Sequence, residues 1–347
     1  MHPLPLMRQS LVRQRRLLKL ATFNVLSPSY ALPAYYPKDA VPFLSREFRL
    51  NRIMDLLRCL RETCDVIALQ EVTFDQTTTL PPDSTAKLHP DRWIGDLNHF
   101  RRVLGTSFHG VFYPHERQYW REWTQATPED PSRNMRNGNA LFFNRDKFGT
   151  IGWKDMSLSS GNHVVEGHAK HKDSGCLLRV LSVHLDSDRN ERREREYKEA
   201  LTNLPYQSGT IDVVMGDFNS GVVVPPIREI MMAHKFEDAL IETQSEVEQI
   251  NNSVDVSIDT LTFALTDNDR LQHPIDHITY RSNLAGPTSI IPSGDQGTPE
   301  HTITGVLHHN LWDLYPPDSG CDTQRLISCL KLFGSDHMPV VATLEID

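Results

Sequence analysis

The sequence predicts an α+β chain: two packed β-sheets with helices on the outside, in four layers α/β/β/α. Three observations predict it. Short apolar runs of strand length end on polar residues, stretches of helical period separate them, and this alternation continues along almost the whole chain. The first β-like run ends at Asn24, and a Pro/Tyr-rich loop covers residues 27–42. Residues 45–61 read as a helix, because Ile53, Leu56, Leu57 and Leu60 fall at i, i+3, i+4 and i+7. A buried-strand pattern at 65–72 closes on Glu71, with its strand core at 66–69. Residues 140–143 and 177–185 are further strands, the second ending near His184. A helix over 190–204 presents Tyr197, Ala200, Leu201 and Leu204 on one face; its charged run 192–196 reads as a solvated surface laced with ion pairs. The run 212–215 leads into Gly216-Asp217-Phe218-Asn219, with a helix near 226–235 after it. Strand-like stretches at 274–278 and 338–342 complete the pattern.

Three segments read as insertions or long loops: 76–92, 118–137 (with Trp120 and Trp123, read as anchors rather than stacking platforms) and 284–335. The stretch holding His163, His168 and His171 also reads as an exposed loop, without the acid or cysteine spacing of a zinc site.

With 347 residues the chain can bury a large core. The polar strand ends run from Asn24 to His337, so one site draws on nearly the entire chain and a single domain over 19–347 is expected. Lys plus Arg number 36 against 45 Asp plus Glu, a net charge of -9, which argues against a surface made for non-specific DNA binding. Five cysteines without paired zinc spacing fit reduced thiols and an intracellular setting. No apolar run is long enough for a membrane span, so no membrane partner is expected. Residues 1–18 form a basic arm, with Arg8, Arg13, Arg15 and Arg16 and no acid. It reads either as a phosphate-touching arm of a cytoplasmic protein or as a mitochondrial presequence. Nothing in the sequence indicates a specific protein partner, and a monomer is expected.

Carboxylate, amide and imidazole groups gathered at strand ends are the groups that metal-assisted attack on phosphorus requires. In chain order they are Asn24, Glu71, His184, Asp217 with Asn219, Asp276, and Asp336 with His337. This ordered set resembles the endonuclease/exonuclease/phosphatase superfamily, whose fold is DNase I-like. The resemblance implies Mg²⁺ (or Mn²⁺) held by Glu71, Asn24 and Asp336. It also implies Asp217 as proton acceptor, Asn219 orienting phosphate or water, His184 donating to the phosphate, and Asp276 fixing the tautomer of His337.

Within the superfamily the chain is most similar to the branch of carbon-catabolite-repressor-type deadenylases, nocturnin and Angel proteins. The carrying residues are Phe23-Asn24-Val25-Leu26-Ser27-Pro28-Ser29-Tyr30-Ala31, Tyr35-Tyr36-Pro37 and Leu69-Gln70-Glu71-Val72. Gly110 to Arg117 and Gly138-Asn139-Ala140-Leu141-Phe142-Phe143 add to them. The branch implies Arg117 and Asn139 on the substrate side and single-stranded RNA or a nucleotide as substrate. Two departures bear on base preference: Ser182-Val183-His184-Leu185 stands where the family often reads Asn-Thr-His-Leu, and Asn137-Gly138-Asn139-Ala140 where it reads Asp-Gly-Cys-Ala. The expected activity is a 3′–5′ exoribonuclease, the alternative a phosphatase or phosphodiesterase on a nucleotide-like molecule or RNA end. An inositol-polyphosphate phosphatase is disfavoured, because Pro274-Ile275-Asp276-His277 lacks that group's Cys and Arg. A binding module without catalysis is disfavoured by the complete set of polar strand ends.

Overall fold

A computed structural model describes residues 16–75, 96–115, 135–220, 225–239, 275–283, 303–308, 322–337 and 339–346. Strand β1 (Arg16–Asn24) is followed by two short 3-10 turns and helix α1 (Arg46–Thr63). Ser45 caps α1, its hydroxyl accepting from the Phe48 N–H, and Ile53, Leu56, Leu57 and Leu60 form its buried stripe. Then come β2 (Val66–Asp75), α2 (Asp96–Leu104), β3 (Phe108–Pro114) and β4 (Met135–Asn144). The second sheet begins with β5 (Phe148–Ser157), β6 (His163–His171) and β7 (Leu177–His184). Next are α3 (Asn190–Thr202), β8 (Thr210–Asp217), α4 (Pro225–Ala233), β9 (Glu237–Asp238) and β10 (Asp276–Ser282). The chain then returns to the first sheet with β11 (Ile303–His308), α5 (Asp322–Phe333) and β12 (Val340–Ile346).

The strand order is β11-β12-β1-β2-β4-β3 in one sheet and β5-β6-β7-β8-β10-β9 in the other. Each sheet is mostly antiparallel but contains one parallel pair, β1/β2 joined through α1 and β7/β8 joined through α3. Such pairs require a crossover, and the helix supplies it on the outer face.

Side-chain alternation along the strands builds the layers. Leu20, Val66, Ala68 and Leu141 face Leu178, Val180, Ile211 and Val213 across the space between the sheets. Their neighbours Ala21, Ile67 and Leu69 pack outward on Leu57, Leu60, Phe100 and Leu104 of α1 and α2. On the far side Leu181, Val183 and Val214 pack on Tyr197, Leu201 and Met231 of α3 and α4. The four-layer sandwich is therefore as the sequence predicts.

Four sequence expectations are corrected. Residues 163–171 are a strand and not an exposed loop: His163 and His171 are buried, and each imidazole is tied locally, to Asp155 at 2.7 Å and to the Ser174 hydroxyl at 2.9 Å. The histidines, with the buried Glu166, obscure a strand whose other buried positions are Val164, Val165, Gly167 and Ala169. The segment 284–335 contains β11 and α5, so it is not one long loop, and β4 begins at Met135 inside the segment read as a loop to 137. Within α3 the charged run is not wholly solvated. Arg193 and Glu196 are buried, with Glu196 accepting from Asp186 N–H at 2.7 Å and Asn162 at 3.0 Å, and Arg193 donating to the Asp186 and Ser187 carbonyls. These two side chains clamp the turn that follows His184. Trp120, Trp123, residues 1–15 and the loop 76–92 lie outside the described residues.

Candidate active site

The two parallel pairs end side by side, and their last residues meet across the sandwich. Asn24 ends β1, Glu71 lies in β2, His184 ends β7 and Asp217 ends β8. Glu71 is aimed by a β-bulge. Leu69 pairs with Ala140 and Val72 with Gly138, so Gln70 and Glu71 together oppose the single residue Asn139, and Glu71 takes φ 56°. Leu26 (φ 55°) and Asn219 (φ 50°) are also in the left-handed region. Of the five non-glycine residues with positive φ among the described residues, these three lie at the site, and Thr150 and Lys235 lie elsewhere.

Asn24 is the hub. Its Nδ2 donates to Glu71 Oε1 at 3.1 Å and to Asp217 Oδ2 at 3.0 Å, while its Oδ1 accepts from Leu26 N–H at 2.9 Å. One amide therefore sets the spacing between two carboxylates from different sheets. The second Glu71 oxygen accepts from Ser27 N–H at 2.7 Å. Asp217 Oδ1 accepts from Asn219 N–H at 2.8 Å, and Asn219 Nδ2 donates to the Leu185 carbonyl at 2.9 Å.

Two imidazoles flank Asp217 Oδ2, His184 Nε2 at 3.6 Å and His337 Nε2 at 3.8 Å; His184 Nε2 is also 3.9 Å from Glu71 Oε1. His337 Nδ1 lies 2.8 Å from Asp276 Oδ2, the pairing expected from the sequence. Burial alone would lower the His337 pKa, but Asp276, Asp217 and Asp336 together outweigh it and hold the imidazole well above its ordinary value. Burial pushes Asp276 up to about 6 against the pull of His337.

Asp336 is buried, its Oδ2 accepting from Tyr36 OH at 2.8 Å, while its Oδ1 has no hydrogen-bond partner among the described residues. Burial and this carboxylate raise the Tyr36 phenol far above its usual range, so it stays a donor. Arg49 fixes the loop beneath by donating to the Gly334, Val25 and Leu26 carbonyls, and the Ser335 hydroxyl donates to the Asn24 carbonyl at 2.7 Å.

The donor set fits a hard divalent cation. Glu71 and Asp217 are buried carboxylates bridged by one amide, Asp276 and Asp336 are buried carboxylates held by His337 and Tyr36, and one Asp336 oxygen has no partner among the described residues. Asp217, Asp276 and His337 also offer ligand atoms within 4.8 Å of one another. Within that trio His337 Nδ1 is engaged by Asp276 Oδ2, which leaves its Nε2 facing Asp217 Oδ2. Asn139 is fully buried between the sheets, donating to the His163 carbonyl at 2.8 Å and the Ser182 carbonyl at 3.4 Å. Ser182 is equally buried, and its hydroxyl accepts from Gln70 at 3.2 Å, so the departure at 182 repacks the inter-sheet space. Arg117 lies outside the described residues.

Sequence reading missed Tyr36 as a partner of Asp336, and it missed His115. The His115 ring stands T-shaped to that of His184 with centroids 5.9 Å apart, and its Nδ1 accepts from His163 N–H at 3.1 Å. Burial, then His184 and His163, lower its pKa well below the ordinary value, so this imidazole is neutral. A histidine two residues ahead of an arginine in a Pro-His-Glu-Arg run was the available signal.

The Endonuclease/Exonuclease/phosphatase family matches residues 21–337, and the chain belongs to that family. Among solved structures it is similar to the human nocturnin catalytic domain with bound sulfate, at 15% identity and TM-score 0.54, over 96% of this chain and 98% of that one. It is likewise similar to ANGEL2, a 2′,3′-cyclic phosphatase, in complex with adenosine-2′,3′-vanadate, at 14% identity and TM-score 0.54, over 96% of each chain. A mannosyl-6-phosphatase from Bacteroides thetaiotaomicron matches at 13% identity and TM-score 0.51, over 95% of this chain and 99% of that one. No curated protein matches by sequence. Among the described residues, no helix is long and apolar enough to cross a membrane.

Proposed function

We propose that the chain is a Mg²⁺-dependent phosphodiesterase that shortens single-stranded RNA from its 3′ end. The observation that carries the hydrolytic part is Asp217, a buried carboxylate oriented by Asn24 and by the Asn219 N–H, with His184 and His337 on either side of one oxygen. A carboxylate so held accepts a proton from attacking water, while the flanking imidazoles donate to the charge that develops on the phosphoryl oxygens. Asp276 keeps His337 protonated and oriented. Glu71 and Asp336 would hold the cation, with Asn24 beside them setting the carboxylate spacing. A divalent cation at that place supplies charge stabilisation for the phosphoryl group and the departing oxygen.

RNA as substrate is supported by the branch motif around Asn24, Tyr36 and Glu71. A second reading, removal of a terminal phosphate from an RNA end or nucleotide, is favoured by the likeness to ANGEL2 with its adenosine-vanadate complex. The deciding experiment is a gel assay on 5′-labelled oligo(A) with Mg²⁺ and with EDTA. A metal-dependent ladder from the 3′ end supports the exonuclease. Release of a terminal phosphate from an otherwise intact strand replaces it with the second reading, and an inert protein removes both.

A further inference from the structure

A cavity of about 760 Å³ lies between α2 and the edge strand β3, lined by Arg101, Arg102, His109 and Arg145 together with Gly110 and Phe142. No carboxylate is among its lining residues, although the chain as a whole carries nine more acids than bases. The cationic groups come from three separate elements: the last turn of α2, the start of β3 and the turn after β4. Basic residues in a last helical turn are an ordinary complement to the helix dipole, which accounts for Arg101 and Arg102. It does not account for Arg145, which belongs to no helix, or for His109, whose pKa is lowered by burial and then by Arg145 and Arg101. All three groups line the same space. Arg102 and Arg145 are exposed, and neither forms a salt bridge among the described residues.

The floor is built for close approach. Gly110 stands opposite Phe142 in the β3/β4 ladder, and a Cβ at 110 would lie 2.0 Å from the Phe142 ring. The buried Phe142 ring fills the space that a side chain at 110 would take, so β3 and β4 lie close together beneath the cavity. Converging arginines over an apolar base recognise phosphate bidentately, and a volume in the range of ligand sites accommodates at least one nucleotide.

We propose that this cavity is a second, non-catalytic binding site for the phosphate backbone of single-stranded RNA, taking nucleotides remote from the reacting end. The proposal rests on the reading of the chain as an RNA hydrolase. Its geometric warrant is β3 itself. The residue after this seven-residue strand, His115, touches the His184 ring, whereas its first residues line the cavity. At ~3.4 Å per residue the two sites are about 20 Å apart along one edge of the sheet. A polyanion whose 3′ end sits at Asp217 can follow that edge, and a dinucleotide is too short to reach the cavity.

The test compares the wild-type chain with R102Q/R145Q by fluorescence anisotropy in EDTA, using a labelled RNA of roughly twelve nucleotides and a labelled dinucleotide at two salt concentrations. The expected result is a loss on the order of tenfold in affinity for the longer RNA and a shallower salt dependence, with dinucleotide binding unchanged. Turnover of thymidine 5′-monophosphate p-nitrophenyl ester should also match wild type. Equal affinity of both proteins for the longer RNA, or an equal loss for the dinucleotide, overturns the proposal. So does a loss seen with anionic lipid vesicles but not with RNA. If the wild type cleaves no RNA and the variant still loses affinity for the longer strand, the hydrolase reading fails and the binding site stands.

Discussion

At the scale of single residues, the Asn24 amide does what charge alone would forbid: it holds Glu71 and Asp217 within hydrogen-bond reach of one nitrogen. Replacing Asp217 with Ala should lower turnover by about three orders of magnitude or more, with circular dichroism unchanged, and His337→Ala should do likewise. A fully active Asp217→Ala protein would remove Asp217 from the mechanism. His115 gives a different readout. Its folded pKa lies below the unfolded value near 6.5, so in that interval the unfolded chain binds a proton that the fold refuses. Its stabilising contribution is complete above about pH 6.5 and is lost as pH falls toward the folded pKa, at up to about 1.4 kcal/mol per pH unit. Thermal midpoints followed downward from neutral pH should therefore fall less steeply in His115→Gln than in wild type, and parallel curves would contradict the assignment. The polar groups stood out in the sequence because each follows or precedes an apolar run of strand length. Their partners did not, since Asn24 and Asp217 stand 193 positions apart.

At the scale of elements, what matters is how strands deliver side chains. Gly216 has φ 150°, and a Cβ there would lie 1.9 Å from the Val183 carbonyl. Gly216→Ala should cost about 3 kcal/mol and displace Asp217 from His184, its cross-strand partner in the β7/β8 ladder. Chemical denaturation and residual activity measure the two effects, and a fully active protein of wild-type stability would contradict both. A second element-scale expectation concerns Asp212, which is buried between Arg179 and Arg281 and also accepts from Asn283. Asp212→Ala strands two buried guanidinium groups and should cost about 3–5 kcal/mol in an unfolding titration. Helices α1 and α3 were legible because their apolar stripes keep helical spacing. Strand β6 was hidden by its histidines, and the bulge in β2 leaves no sequence signal, because it exists only relative to β4.

At the scale of the whole molecule, four buried carboxylates in one site mean that cation binding and stability are linked. Saturating Mg²⁺ at about one hundred times its dissociation constant should add about 2.7 kcal/mol, read as a rise in thermal midpoint that EDTA reverses. Asp336→Asn should shrink that rise, and a midpoint indifferent to Mg²⁺ in the wild type would argue against a cation at these carboxylates. The sandwich as a class was visible in the alternation of runs. Which strands share a sheet was not, because that depends on register between distant segments.

The route of the chain has a consequence for the order of events during synthesis. Strands β5 to β10 form one sheet from a single continuous stretch, whereas the other sheet is begun by β1 to β4 and finished by β11 and β12. Strand β12 docks against β1, and His337 lies just ahead of it. A nascent polypeptide that has already released Asn24, Glu71, His184 and Asp217 from the ribosome therefore still lacks the imidazole of His337. Of the polar groups gathered at the candidate site, His337 is the last to be synthesised, so the pairing of its imidazole with Asp276 forms after the second sheet has been made.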